Sequence, residues 1–394
     1  FIVVSGILLA VLPPFLLGWD WRTTIYRALI FLVVASPCAL VASIMPALLS
    51  GIASGARQGI LFKNGAHLET IGQVKAVAFD KTGTLTTGEL QVVGVHPAEG
   101  KTADWLLQMA ASVETASEHP IGVAIAEAAK TQNLTLSPAT NIQAESGQGI
   151  RGTVAGQQVV VGKTEFVREA LIPSPSPWGE GSQIIPLSQG RGARGEGLDT
   201  TLVWVALDGE IAGQIALADT LRPEAHNIVQ KLKDQGIEHI VMLTGDNPAT
   251  AQAIADELGI QEVCAELLPE QKLTAIRDLQ ATYGKVAMVG DGINDAPALA
   301  VADVGIALGG ASTDVALETA DIILMANSLD KLPQAMGQGK RANRVVKQNI
   351  AFALTFIAIL LTANFIGGIT MPTGVIGHEG STVLVTLSGL RLLK

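Results

Sequence analysis

The sequence predicts α-helical transmembrane spans joined to a cytoplasmic α/β domain of doubly wound type, interrupted by an inserted α+β module. Three observations predict it. Two charge-free runs are long enough to cross a bilayer, three short apolar runs each end in an aspartate-bearing turn, and a stretch of different composition separates the first of those turns from the other two.

Residues 1–19 carry no charge, and neither do residues 28–56, between Arg27 and Arg57, nor residues 348–377, between Lys347 and His378. The last two runs hold 29 and 30 residues, and a bilayer needs roughly 20. Residues 371–394 contain His378 and Glu379 but end in an apolar, helix-like stretch at 381–390. Four spans are therefore expected, two within residues 1–62 and two within residues 333–394. The first is not a signal peptide, because it lacks a basic start and a small-residue cleavage site. Arg57 and Lys63 flank one end of the long charged segment, and Lys340, Arg341, Arg344 and Lys347 flank the other. Arg391 and Lys394 close the chain, so the positive-inside rule places that segment and the C-terminus in the cytoplasm. A net charge of −10 gives no support for nucleic-acid binding. Two cysteines make no disulfide framework. Cys264 reads as a buried structural thiol, whereas Cys38 lies beside a proline in the middle of a membrane run.

Within the charged segment, residues 74–79 read as a buried strand that delivers Asp80-Lys81-Thr82-Gly83-Thr84. A carboxylate at a strand end is a candidate phosphoryl acceptor. The adjacent cation of Lys81 would offset charge on the phosphoryl oxygens. A second strand, 240–243, leads into Thr244-Gly245-Asp246-Asn247, whose hydroxyl and backbone N–H groups would hold phosphate oxygens. A third, 286–289, leads into Gly290-Asp291-Gly292-Ile293-Asn294-Asp295, where the glycines let the backbone approach closely and the carboxylates suit a hard cation.

In this order the motifs resemble those of the P-type ATPases, and the strand-loop itself resembles the wider haloacid-dehalogenase-like superfamily. That resemblance implies a phosphorylation domain made of residues 63–87 and 217–332. In it Asp80 is the nucleophile, Lys272 is the phosphate-binding lysine, and Thr244, Gly245, Asp246 and Asn294 complete the phosphate site. It implies Mg²⁺ at Asp80, Thr82, Asp291 and Asp295. Phosphatases of the superfamily carry an aspartate where this chain has Thr82. Threonine cannot activate water, which suits a persistent phosphoenzyme. Residues 88–216 resemble the nucleotide-binding domain of the heavy-metal ATPases, which implies ATP contacts at Glu114, Glu118, His119, Pro120, Gly147, Gly149, Gly162 and Arg222. Where that family has Gly-Asn, this chain has Gly162-Lys163. Residues 173–197, rich in Pro, Gly and Ser, read as a disordered surface insertion.

Ser36-Pro37-Cys38 interrupts the second span. Pro37 has no N–H, so the oxygen of Val33 is expected to lose its helical partner. His378-Glu379-Gly380-Ser381-Thr382 places a carboxylate where insertion costs roughly 2.5–3.5 kcal/mol, and His378 and Thr382 share a helical face. These two strings resemble the cobalt-type subgroup of heavy-metal-transporting P-type ATPases. The resemblance implies a transported ion held by Ser36, Cys38, His378, Glu379 and Thr382, with Co²⁺ first; Zn²⁺, Cd²⁺, Fe²⁺ and Ni²⁺ accept the same ligand types. It further implies ATP and Mg²⁺ as cofactors, the bilayer of a bacterial plasma membrane as the setting, and an upstream actuator domain, with its Thr-Gly-Glu loop, as a requirement for turnover. Thr87-Gly88-Glu89 looks like that loop but follows the phosphorylation motif within one connection. The chain thus reads as the C-terminal part of a pump. The rival readings are a membrane-tethered phosphatase of the same superfamily and a P-type pump for another cation such as potassium or calcium.

Overall fold

The computed structural model describes residues 2–145, 147–171, 200–291, 293–310, 313–366 and 368–393; the insertion expected at 173–197 lies outside them. The chain divides into two compact units. One comprises Phe1–Ala78, Asn227–Ile240 and Pro269–Lys394, the other Phe79–His226 and Val241–Leu268.

The first unit holds the apolar helices. Trp21–Arg57 and Lys331–Ile366 are long and apolar enough to cross a membrane, and Ile2–Leu16 is a shorter apolar helix. A further helix, Met371–Gly389, carries His378. The run 28–56 is not one helix. It ends at Val34 and restarts at Cys38, because Pro37 has no N–H to continue the ladder. The Val33 oxygen is nevertheless not left bare, as the sequence suggested. It accepts the Ser36 N–H at 3.3 Å, while the Pro37 oxygen takes Leu40 and Val41 N–H at 3.0 and 3.1 Å and starts the next helix.

In the first unit the strands Ile60–Phe62, Ile322–Leu324, Val304–Leu308 and Val286–Gly290 lie side by side in that order, and in the second Glu262–Cys264 pairs in parallel with residues 241–243 of His239–Leu243. Val304–Leu308 is parallel to both neighbours, and only the Ile60–Phe62 edge is described as antiparallel. All residues of Ala76–Asp80, Val286–Gly290 and Val304–Leu308 are buried, as parallel strands covered on both faces require. Cys264 is half-buried at the end of its strand rather than sealed in the core.

Lys331–Ile366 has 36 residues, roughly 54 Å at the α-helical rise, which exceeds the roughly 30 Å of a hydrocarbon core. Its first turns pack against the short helix Gly65–Ile71. Contact there is backbone to backbone: a Cβ on Gly339 would lie 2.7 Å from the Gly72 nitrogen and 2.8 Å from the Leu68 oxygen. Asn343 Nδ2 donates to the Glu69 oxygen at 2.8 Å across the same crossing, and Gln338 Nε2 donates to the Gly51 oxygen at 2.7 Å, tying the long helix to Cys38–Arg57 as well.

In the second unit, six antiparallel strands run in the order Thr86–Pro97, Glu210–Leu221, Thr201–Leu207, Gln157–Gly162, Gly149–Val154 and Ala139–Glu145. Gly149–Val154 alternates half-buried and buried residues, the pattern of a sheet with one covered face. Ala103–Glu114 and Pro120–Thr131 supply that cover through Leu106, Leu107, Val113 and Ile125 against Ile150, Val161, Val205 and Ile215.

The Gly339 contact yields a prediction. Gly339→Ala should destabilise the chain by about 1–3 kcal/mol, because the opposing atoms are backbone and cannot step aside. Gly337→Ala, whose Cβ would meet only the tip of Gln235 at 3.9 Å, serves as the control. Thermal unfolding in detergent reads the difference, and equal midpoints for the two variants would contradict the packing argument.

Candidate active site and ion site

Asp80 is the last residue of a fully buried strand and is itself 6% exposed. The chain then turns sharply through Lys81–Leu85. Gly83 sits at φ +69°, a left-handed conformation that a side chain would oppose. The turn is held from inside its own unit. Thr86 Oγ1 accepts the Gly83 N–H at 3.1 Å, and the same hydroxyl contacts the Asp219 carboxylate. Arg222 donates from Nε to the Thr84 oxygen at 2.9 Å and from Nη2 to the Gly83 oxygen at 2.8 Å. The structure thus sets Arg222, expected at the nucleotide, on the loop that follows Asp80. Its partner in this clamp, Asp219, passed unnoticed in the sequence, where the only signal was an Asp-Thr-Leu-Arg string after a strand.

Lys81 is buried and forms an ion pair with Asp246. The Thr244-Gly245-Asp246 turn is closed on itself: the Asp246 N–H donates to Thr244 Oγ1 at 3.1 Å, and the Thr244 N–H donates to the Cys264 oxygen at 3.0 Å. In the first unit, Lys272 Nζ lies 2.7 Å from Asp295 Oδ1, and the two are 7% and 2% exposed. Asp291 follows the strand Val286–Gly290, and its carbonyl accepts the Thr313 N–H at 2.9 Å. Asn294 is exposed in the short turn Ile293–Asp295.

Among the residues expected to contact ATP, Glu114 ends a helix and is buried. Burial pushes its carboxyl up to about 7, and a hydrogen bond with Ser117 opposes the shift. Gly122, which the sequence reading passed over, leaves room for this carboxylate: a Cβ there would lie 2.4 Å from Glu114 Oε2. His119 Nδ1 accepts the Ile121 N–H at 3.3 Å and caps the helix that Pro120 opens. Glu118 is exposed. Gly149 and Gly162 face each other as paired residues of adjacent strands, and Gly147 forms the turn before them.

In the apolar helices, Ser36 Oγ and Cys38 Sγ lie 2.9 Å apart across Pro37. His378 is 2% exposed, and neither ring nitrogen has a hydrogen-bond partner among the described residues. Thr382 Oγ1 donates to the His378 oxygen at 3.1 Å. Glu379 is exposed whereas His378 is buried, so the structure does not set these two on one face.

Residues 74–303 match the family described as haloacid dehalogenase-like hydrolase, which covers the strands bearing Asp80, Thr244 and Asp291. The chain belongs to the haloacid dehalogenase-like hydrolases. Similarity extends beyond that domain into the apolar helices. The zinc-transporting ATPase of Bacillus subtilis is 48% identical over 99% of this chain and 60% of its own length. A probable cobalt/nickel-exporting P-type ATPase of Mycobacterium bovis is 40% identical over 99% of this chain and 57% of its own. A crystal structure of a zinc-transporting PIB-type ATPase in the E2.Pi state superposes with a TM-score of 0.84 at 39% identity, over the whole of this chain and 62% of that one. This haloacid dehalogenase-like chain is therefore similar throughout to heavy-metal P-type ATPases, and it spans a little over half the length of these relatives.

Glu114 makes the site pH-sensitive. Its folded pKa lies above the ordinary value of 4.5, so the folded state binds the proton more tightly and stability falls as pH rises from 4.5 to about 7. Glu114→Gln should match the parent near pH 4.5 and exceed it above pH 7 by up to about 3 kcal/mol. Unfolding midpoints of the two chains compared between pH 6 and 8 check this; a gap that stays constant across the range would refute it.

Proposed function

We propose that this chain carries the catalytic and ion-binding parts of an ATP-driven exporter of divalent heavy-metal cations. Asp80 at the end of its strand is the observation that carries the reading. Its carboxylate oxygen attacks the γ-phosphorus of ATP; the new O–P bond forms as the bond to the β–γ bridging oxygen breaks, and ADP leaves. Asp80, Asp291 and Asp295 are hard oxygen donors of the kind Mg²⁺ takes, and with Thr82 they would hold that ion. When bound, it neutralises charge on the transferring phosphoryl group. Lys81 and Lys272 add positive charge, and the Arg222 clamp keeps the loop in shape. Thr82 offers no base for water, so hydrolysis of the acyl phosphate needs a general base from elsewhere, worth typically 10²–10⁴-fold. An actuator domain is the proposed source.

The unpartnered imidazole of His378 supports an ion site among the apolar helices. A buried polar group without a partner costs about 1–3 kcal/mol, and a coordinated cation relieves that cost. Cys38 and Ser36 supply a thiolate and a hydroxyl. Co²⁺ is favoured by the Ser-Pro-Cys and His-Glu-Gly-Ser-Thr strings, and Zn²⁺, Cd²⁺, Fe²⁺ and Ni²⁺ accept the same donors. The apolar helices then cross a bacterial plasma membrane, with the catalytic residues between 63 and 332 on the cytoplasmic side.

Asp80→Asn should abolish a hydroxylamine-sensitive phosphoenzyme formed from labelled ATP, and normal labelling of the variant would exclude Asp80 as the acceptor. Separately, Cys38→Ser and His378→Ala should each weaken Co²⁺ binding at least tenfold by equilibrium dialysis while leaving nucleotide binding intact. Unchanged Co²⁺ affinity in both would remove the ion site from these helices.

A further inference from the structure

The long helix Lys331–Ile366 of the first unit carries part of a belt of cations that neither the phosphorylation chemistry nor the ion site uses. Lys340, Arg344 and Lys347 recur at i, i+4 and i+7 of Lys331–Ile366 and so share a face. With the amides of Gln73, Asn343 and Gln348 they line a cavity of about 510 Å³, at whose edge the Glu69 carboxylate accepts from Gln73 Nε2 at 3.5 Å. A neighbouring cavity of about 550 Å³ shares Lys340 and Arg344 and adds Lys231 and Arg341; its carboxylate, Asp330, lies 3.4 Å from Lys231. Two more helix ends join the belt. Arg391 donates to Gln348 Oε1 at 3.3 Å, and Arg57, in the last turn of Cys38–Arg57, donates to the Leu393 oxygen at 3.4 Å.

Position along the long helix identifies the ligand. Arg344 and Lys347 are exposed, and the next 30 residues after Lys347 carry no charge. The first cavity therefore sits where the helix passes from charged to apolar surface, and Ala351 forms its apolar edge. Concentrated like charge at that level repels itself unless an anion joins it, and an amphiphile would satisfy both the cationic floor and the apolar rim. We propose that this cavity binds the phosphate of an anionic phospholipid headgroup, with Arg344 and Lys347 as its main contacts. The proposal rests on the membrane reading given above.

The test uses the chain reconstituted into phosphatidylcholine vesicles doped with spin-labelled phosphatidylglycerol, the immobilised lipid fraction being read by electron paramagnetic resonance. Each basic side chain near a membrane surface is worth about 1 kcal/mol and about 1.4 kcal/mol is tenfold, so Arg344→Gln with Lys347→Gln should lower the preference for phosphatidylglycerol over phosphatidylcholine by about thirtyfold. Lys101→Gln with Lys130→Gln changes net charge equally on the second unit and should leave the preference unchanged. Arg344→Lys with Lys347→Arg should retain it, which separates lost charge from lost folding. A wild-type preference in the Gln pair overturns the site, and so does displacement of the labelled lipid by inorganic phosphate, which would mark a soluble-anion site. Failure of the wild-type chain to enter vesicles of any composition would instead overturn the membrane reading itself.

Discussion

Charge taken out of water must be met by opposite charge or by donors, and the catalytic region is organised around that constraint. Asp80, Lys81, Lys272 and Asp295 are all less than a tenth exposed. A charge buried to that degree is costly unless it is paired. Lys81 is paired with Asp246, and Lys272 lies 2.7 Å from Asp295. Removing one member of such a pair leaves an uncompensated buried charge, at a cost of about 3–5 kcal/mol. Both lysines are thus held in position by carboxylates. The same logic explains the loop after Asp80, whose carbonyls at Gly83 and Thr84 are met by the buried guanidinium of Arg222.

The apolar helices obey the constraint at some positions and leave it open at one. Asn349 is buried, yet its amide reaches the oxygens of Ser43 and Val385 at 3.4 and 3.2 Å, and Ser388 Oγ donates to its Oδ1 at 2.6 Å. Three helices are thereby joined through groups that satisfy one another, which suits packing between surfaces with little hydrophobic drive. His378 lies on the same helix as Val385 and Ser388, is as deeply buried, and has no such partner among the described residues. That contrast between satisfied and unsatisfied polar groups is the physical basis for reading His378 as a ligand rather than as packing.

Much of the catalytic half was legible in the sequence because its signals are local. A buried parallel strand is a continuous apolar run, and the turn that follows is written in adjacent residues, so Asp80, Thr244 and Asp291 could be placed at strand ends from pattern alone. The break at Pro37 was legible for the same reason, since a missing N–H acts within one helical turn. The partner found by the Val33 oxygen was not, because it depends on how the chain bends after the break. Glu379 and His378 looked like one half-site as neighbours in sequence, yet successive residues on a helix point about 100° apart, and burial chose only the imidazole.

By itself the sequence determined which residues end each strand, where the long helix turns from basic to apolar, and which side chains have the chemistry for phosphoryl transfer and metal binding. Only the tertiary structure decided what those side chains meet. Arg222 clamps a loop 138 residues away, Gly339 touches Gly72 backbone to backbone, and Arg391 joins the cations of a helix that begins far upstream. The physical reason is that helix and strand propensities act over a few residues, whereas burial, ion pairing and close packing are settled between elements that the chain brings together only on folding.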